Sequence, residues 1–316
     1  MPVYFKVLAL LKVLAFLIVA ALPAWTQETL PNAKPVPECQ VIPLPYEQAS
    51  FQFEGKELTR YHYGSALRRP FWFPVIGPSG IPLTRMGHPR DPQGHKHHNS
   101  VWISHNNVNG VDFWADTGSG RIAQRRIVEF EDGIREARTV TENDWLDEST
   151  SRVLMRETRT ATMRVLNDGE WMLLIELVLQ PDGTEVVLGQ SPFGLIGVRM
   201  AKTIGVNDGG GIIRNSEGNI DEKEVFWKKA KWVDYSGPVT KETVEGITLF
   251  DHPDNPNFPA SFHVRDDGWM GASLTHEATR IIPSGEKLTL RYGFYVHRDL
   301  KPLPGIELRW KEFAGR

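Results

Sequence analysis

Hydrophobic and polar positions alternate with a period of two along much of the chain. Near the C-terminus Leu288, Leu290, Tyr292, Phe294 and Val296 alternate with Thr289, Arg291, Gly293, Tyr295 and His297. That pattern predicts a strand with one buried face. Residues 152–166 and 170–180 read as strands flanking Asn167-Asp168-Gly169, where the Asp-Gly pair predicts a hairpin turn. Residues 224–235, rich in Val, Phe, Trp and Tyr, also read as strand. Gly- and Asn-rich clusters at 207–211 and 215–219 break the chain between such segments. No long amphipathic helix is expected beyond the N-terminal segment. The fold class is therefore all-β, a large antiparallel β-sandwich.

Composition supports strands and turns. The 316 residues include 28 glycines and 22 prolines, a turn-rich share. A hydrophobic fraction of 41% excludes a disordered chain. Charge is nearly balanced, 36 Lys+Arg against 39 Asp+Glu. No nucleic-acid partner is expected, because sequence-independent binding needs a basic surface. One cysteine excludes an internal disulfide framework and any multi-Cys metal site.

The N-terminus reads as a secretory leader. Lys6 and Lys12 precede an apolar run from Val13 to Leu22, which ends in Leu22-Pro23-Ala24. The expected organisation is a leader over 1–24, an extended proline-rich arm or spacer over 25–50, and one β-sandwich domain over 51–316. The expected location is periplasmic or extracellular. No membrane contact is expected after leader removal, since no second long apolar stretch follows.

Candidate chemistry concentrates between His88 and Asp116. Five of the ten histidines, His88, His95, His97, His98 and His105, fall there. If residues 95–100 are extended, His95, His97 and Asn99 share one face and Lys96, His98 and Ser100 the other. Two imidazoles so placed can hold a divalent metal with a third ligand, which makes His95 and His97 the metal candidates. They can equally act as acid and base near neutral pH. Trp102, Phe113 and Trp114 offer flat apolar faces, and Asn106, Asn107, Asn109 and Asp112 offer hydrogen bonds, a mixture that suits a carbohydrate. A second cluster runs from Asp251-His252-Pro253 to Ser261-Phe262-His263-Val264-Arg265. A strand over 262–265 puts His263 and Arg265 on one face. Arg265 could clamp a carboxylate or pair with Asp266 or Asp251.

These texts carry a resemblance. His97-His98-Asn99-Ser100-Val101-Trp102 followed by Asn107-Val108-Asn109-Gly110-Val111-Asp112-Phe113-Trp114 resembles the signature of a secreted bacterial family labelled methane oxygenase PmoA-like. Arg69-Pro70-Phe71-Trp72-Phe73-Pro74-Val75, Gly194-Leu195-Ile196-Gly197-Val198-Arg199 and Trp232-Val233-Asp234-Tyr235-Ser236-Gly237 extend the likeness over roughly residues 55–300. The resemblance implies a supersandwich similar to galactose mutarotase and work on carbohydrate. The oxygenase label does not carry over, because the methane monooxygenase subunit spans the membrane repeatedly. Gly94, Lys96 and Asn99 depart from the family's Asp, Pro and Arg.

Two functions are expected, in order. The first is a carbohydrate-active enzyme of lyase, hydrolase or epimerase type. There His97 or His98 abstracts a proton, His105 or His263 donates one, Asp112 orients a histidine and Arg265 holds an acidic group or oxyanion. Trp102, Asn107, Asn109, Trp114 and His252 would line the sugar. No cofactor is required, although a divalent metal could serve as Lewis acid. The second is a non-catalytic carbohydrate-binding protein using the same cleft.

Overall fold

The computed structural model describes residues 35–88, 90 and 95–315. The expected leader and the departure at Gly94 lie outside the described residues. Two eight-stranded antiparallel sheets dominate. The first runs in the spatial order β1 (Cys39–Leu44), β2 (Gln48–Phe53), β3 (Lys56–His62), β4 (Phe71–Val75), β5 (Val101–Ser104), β11 (Leu195–Arg199), β16 (Trp269–Ser273), β15 (Ser261–Arg265). The second runs β12 (Ile212–Asn215), β13 (Trp232–Pro238), β14 (Val244–Asp251), β18 (Leu288–Arg298), β9 (Trp171–Pro181), β8 (Arg152–Val165), β7 (Glu136–Asp147), β6 (Gly120–Glu131). A short pair joins β10 (Val186–Leu188) to β17 (Arg280–Ile282).

One apolar core lies between the sheets. Phe51, Trp72, Ile103 and Val198 enter it from the first sheet, and Trp145, Leu173, Ile247 and Phe294 from the second. The period-two rule is visible in β7, where Ala137, Thr139, Thr141, Asn143, Trp145 and Asp147 are buried and their neighbours are not. The β8–β9 hairpin closes where the sequence places it. Asp168 (φ 59) and Gly169 (φ 75) take left-handed backbone, and Glu170 N donates to Asn167 O at 3.1 Å. Pro37–Arg316 form one compact unit. Among the described residues no helix is long and apolar enough to cross a membrane.

Three expectations are corrected. The segment 25–50 is not all arm: Cys39–Leu44 and Gln48–Phe53 pair as strands at the edge of the first sheet. Pro43 is tolerated there because an edge strand can spare an N–H. Residues 224–235 are not one strand. Asp221–Val225 forms a helical turn, and β13 begins only at Trp232. Between them the backbone bonds locally to β15, with Trp227 N donating to Phe262 O at 2.7 Å and Ala230 N to Ala260 O at 3.1 Å. Finally, β18 is buried on both faces from Tyr292 to His297. A C-terminal helix, Leu303–Ala314, covers its outer face, packing Ile306 and Phe313 against Met172, Trp232, Phe250 and Tyr295. We number the helices α1 (Val206–Gly209), α2 (Asp221–Val225) and α3 (Leu303–Ala314).

Candidate functional site

The outer face of the first sheet carries the site. Phe71, Trp102, Gly197, Gly271 and His263 are successive cross-strand partners on β4, β5, β11, β16 and β15. Arg199, Trp269 and Arg265 form the next row. The two glycines leave a lane on this face, and the Trp269 indole lies in it. A Cβ at Gly271 would stand 2.7 Å from that ring, and one at Gly197 would be closer still. Trp269 packs with Trp102, Trp114 and Phe71 into an aromatic floor separate from the core.

Above the floor is a cavity of about 530 Å³. His95, His97, His98 and His263 line it, with Asn106, Asp112, Trp114, Phe193, Trp227, Arg265 and Trp269. The histidines come from two distant segments. His95–His97 is a 3-10 turn rather than a strand, so alternation does not apply. His95 stacks on His98 at 4.5 Å and 12°, while His97 stands edge-on to both. β15 supplies His263 and Arg265 on one face, as the sequence predicts.

Buried Arg69 fixes the turn. Its guanidinium donates to His97 O (3.2 Å), Asn99 Oδ1 (2.7 Å), Asp116 Oδ1 (3.2 Å), Phe113 O (3.1 Å) and Trp114 O (2.7 Å). One side chain thus ties the histidine turn to the loop bearing Trp114. Asp112 Oδ1 caps that loop by accepting the N–H groups of Trp114 (2.7 Å) and Ala115 (3.1 Å). Its carboxylate therefore shapes the loop and does not orient a histidine.

Two histidines are held neutral by tryptophan. Trp114 Nε1 donates to His97 Nε2 at 3.0 Å, and Trp269 Nε1 donates to His263 Nδ1 at 2.6 Å. An indole nitrogen only donates, so each accepting imidazole nitrogen is unprotonated. The proton sits on the other nitrogen, His97 Nδ1 and His263 Nε2, for which no protein partner is found among the described residues. Burial, with Arg69 next, lowers the His97 pKa to about 4. Burial, with Arg265 next, lowers that of His263 to about 3. His98 lies between Trp102 and Trp269, 5.0 Å from each ring, and burial drops its pKa well below the usual value.

His95 has a different environment. Its Nδ1 stands 3.5 Å from Asp267 Oδ2. Buried Arg199 grips the same carboxylate through two bonds of 2.7 and 3.0 Å. Against the cost of burial, the nearby His95 and the two bonds from Arg199 push the Asp267 pKa down. His95 Nδ1 forms no hydrogen bond among the described residues, so the facing carboxylate favours the proton on Nδ1 and Nε2 as the acceptor without locking that tautomer. Arg265 pairs with Glu222 on α2, not with Asp266 or Asp251. It also stacks over Phe226 at 4.5 Å.

Other expected site residues sit elsewhere. His105 is fully buried, accepts Asn107 N on Nδ1 (3.0 Å) and bonds Thr275 Oγ1 through Nε2 (2.9 Å). It shapes a turn and has no access to the cavity. Trp102 is buried beneath His98 and is floor, not wall. Asn107 accepts Gly110 N and Asn109 accepts Val187 N, so both serve loops. His252 lies with Phe313 by the second sheet, because its loop turns away before β15 begins. As metal candidates His95 and His97 fit poorly. Their rings are 6.2 Å apart at 86°, and His97 Nε2 already accepts an indole N–H. Among the described residues no three His, Cys, Asp or Glu side chains stand together as a metal requires.

Sequence reading missed Arg69, Trp227, Asp267 and Trp269. Asp267-Gly268 was a legible hairpin signal (Gly268 φ 98). It places Trp269 opposite Arg265 and therefore beside His263.

A family model matches residues 48–303. The chain belongs to DUF6807, a family of unknown function. No curated protein matches this DUF6807 member. Among solved structures it is similar to a 4-alpha-glucanotransferase from Thermococcus litoralis (10% identity, TM-score 0.29, covering 84% of this chain and 40% of that one). It is also similar to a TPR-domain containing protein from Parabacteroides distasonis (11%, 0.33, 82% and 47%) and to a heparinase III (12%, 0.31, 86% and 37%). The chain spans less than half the length of each.

Proposed function

We propose that this DUF6807 protein is a carbohydrate-active enzyme whose cavity on the first sheet transfers a proton at a sugar carbon or hydroxyl. One observation carries the reading: four histidines from two segments line one cavity over an aromatic floor. In this reading His95, which faces Asp267, serves as the base. His97 and His263 are held as neutral donors toward the cavity. Trp227, 42% exposed at the rim, and Phe193 supply apolar surface for a sugar ring. An extracytoplasmic setting, which the leader-like segment 1–24 supports, belongs to the same proposal, as does the finer PmoA-like relationship.

The test is a screen of mono- and oligosaccharides for binding and turnover, with His95→Gln beside the wild type. Turnover that falls by roughly a hundredfold or more in His95→Gln at nearly unchanged affinity is the expected result. A second reading, a binding protein, draws on the donor character of His97 and His263. It predicts binding without turnover. If no sugar binds, both readings fail.

A further inference from the structure

The cavity holds N–H donors, a guanidinium and oxygen acceptors together. His263 and Arg265 stand on the same face of β15. The free N–H of His263 follows from the indole bond on its other nitrogen. Arg265 spends one nitrogen on Glu222, and no protein partner is found for its remaining N–H groups among the described residues. Asp112 lies in the loop clamped beside His97. Asn106 lines the same cavity with a side-chain oxygen that lacks a protein partner among the described residues. The β15 face thus offers the His263 N–H and the N–H groups of Arg265 not spent on Glu222, while Asp112 and Asn106 add oxygen acceptors to the same cavity. A neutral sugar has no use for the cation. A sugar that carries a carboxylate as well as hydroxyls matches both sets of groups.

We infer that the substrate class is a uronic acid or a glycan containing one, with its carboxylate docked against His263 and Arg265 and its hydroxyls toward Asn106 and Asp112. The inference rests on the carbohydrate reading above. It also selects the proton that moves. A carboxylate held by N–H donors acidifies the hydrogen on the carbon that bears it. His95 Nε2 takes that hydrogen as a proton, and the C–H electron pair moves into the carboxylate to give an enediolate, which His263 and Arg265 hold. Delivery of a different proton to the opposite face of the carbon, from the Nδ1–H of His97, yields the epimer, and exchange with solvent returns both imidazoles to their starting states. Alternatively the pair forms a double bond to the neighbouring ring carbon and expels its oxygen substituent, which takes the proton carried by His95. No oxidant, reductant or second substrate is needed in either case.

The probes are glucuronic and galacturonic acid and their oligosaccharides, each beside its neutral glucose or galactose counterpart. Calorimetry reads affinity. Proton NMR in D2O reads exchange of the hydrogen next to the carboxylate, and ultraviolet absorbance reads a conjugated unsaturated uronate. The expected result is acidic over neutral binding by roughly tenfold or more, a preference lost in Arg265→Gln. Exchange should occur in the wild type and vanish in His95→Gln. Equal affinity for neutral and acidic sugars overturns the uronate proposal and leaves the carbohydrate reading standing. Acid-selective binding without exchange overturns the proton step. Absence of binding by any sugar removes the proposal together with the reading beneath it.

Discussion

A single type of contact defines the site residue by residue: an indole N–H given to an imidazole. Donation to the neutral ring disfavours its charged form, adding to the burial that lowers His97 and His263. Trp269→Phe keeps the ring in its glycine lane but removes the donor. The His263 pKa should then rise by about one pH unit, read by NMR titration of the imidazole, with the fold retained. Arg69 is the second decisive residue. Loss of its guanidinium leaves the His97 and Trp114 carbonyls, the Asn99 amide oxygen and the Asp116 carboxylate without this donor, and Phe113 O with Ser104 Oγ alone. Arg69→Met should cost about 3 kcal/mol in urea unfolding. His97 resonances should move with it, because its turn is released from the Trp114 loop.

At the scale of elements, the site depends on glycine in β11 and β16. Gly197→Ala would force a methyl into the Trp269 ring. A cost of about 1–3 kcal/mol is expected, with altered tryptophan fluorescence and weaker sugar binding. On the other sheet α3 plays the covering role. Leu303, Ile306, Trp310 and Phe313 all pack in the cluster beneath it. Their spacing of three, four and three residues is a helical stripe, legible once the prolines at 302 and 304 are read as a helix start rather than as loop. Ile306→Ala should cost about 2–4 kcal/mol in thermal or denaturant unfolding. It should leave ligand binding on the first sheet intact.

For the whole molecule, buried histidines set the response to acid. His97 and His105 titrate at about 4 and His263 at about 3 when folded, against 6.5 when unfolded. The unfolded chain therefore binds more protons between these values. Their stabilisation is complete above about pH 6.5 and is lost as pH falls through 4 toward 3. Fully buried His105 alone is worth on the order of 3 kcal/mol across that window. Asp251 works in the opposite sense. Burial raises it to about 7, so its contribution is present below its unfolded value of 3.8 and lost as pH rises through 7. Three histidines outweigh one aspartate, and the urea midpoint should fall between pH 6.5 and 4. His105→Gln should flatten that fall without touching the cavity.

The alternating pattern by itself determined the strands around the Asp168-Gly169 hairpin, the C-terminal strand and the sandwich class. Period-two burial depends only on neighbours along the chain and on one shared core. It also placed His263 and Arg265 on one face, because β15 is regular. It did not determine the histidine turn. A Gly- and Pro-rich segment does not alternate, and Arg69, far away in sequence, decides its shape. Register across β5, β11, β16 and β15 was equally out of reach. That register alone sets Trp269 in the lane of Gly197 and Gly271, and brings its N–H to His263. His105, Trp102 and His252 carried the right chemistry in the sequence, and only tertiary packing removed them from the cavity. Donor and acceptor roles of the imidazoles belong to the tertiary structure, because they are assigned by partners that the chain brings together only when folded.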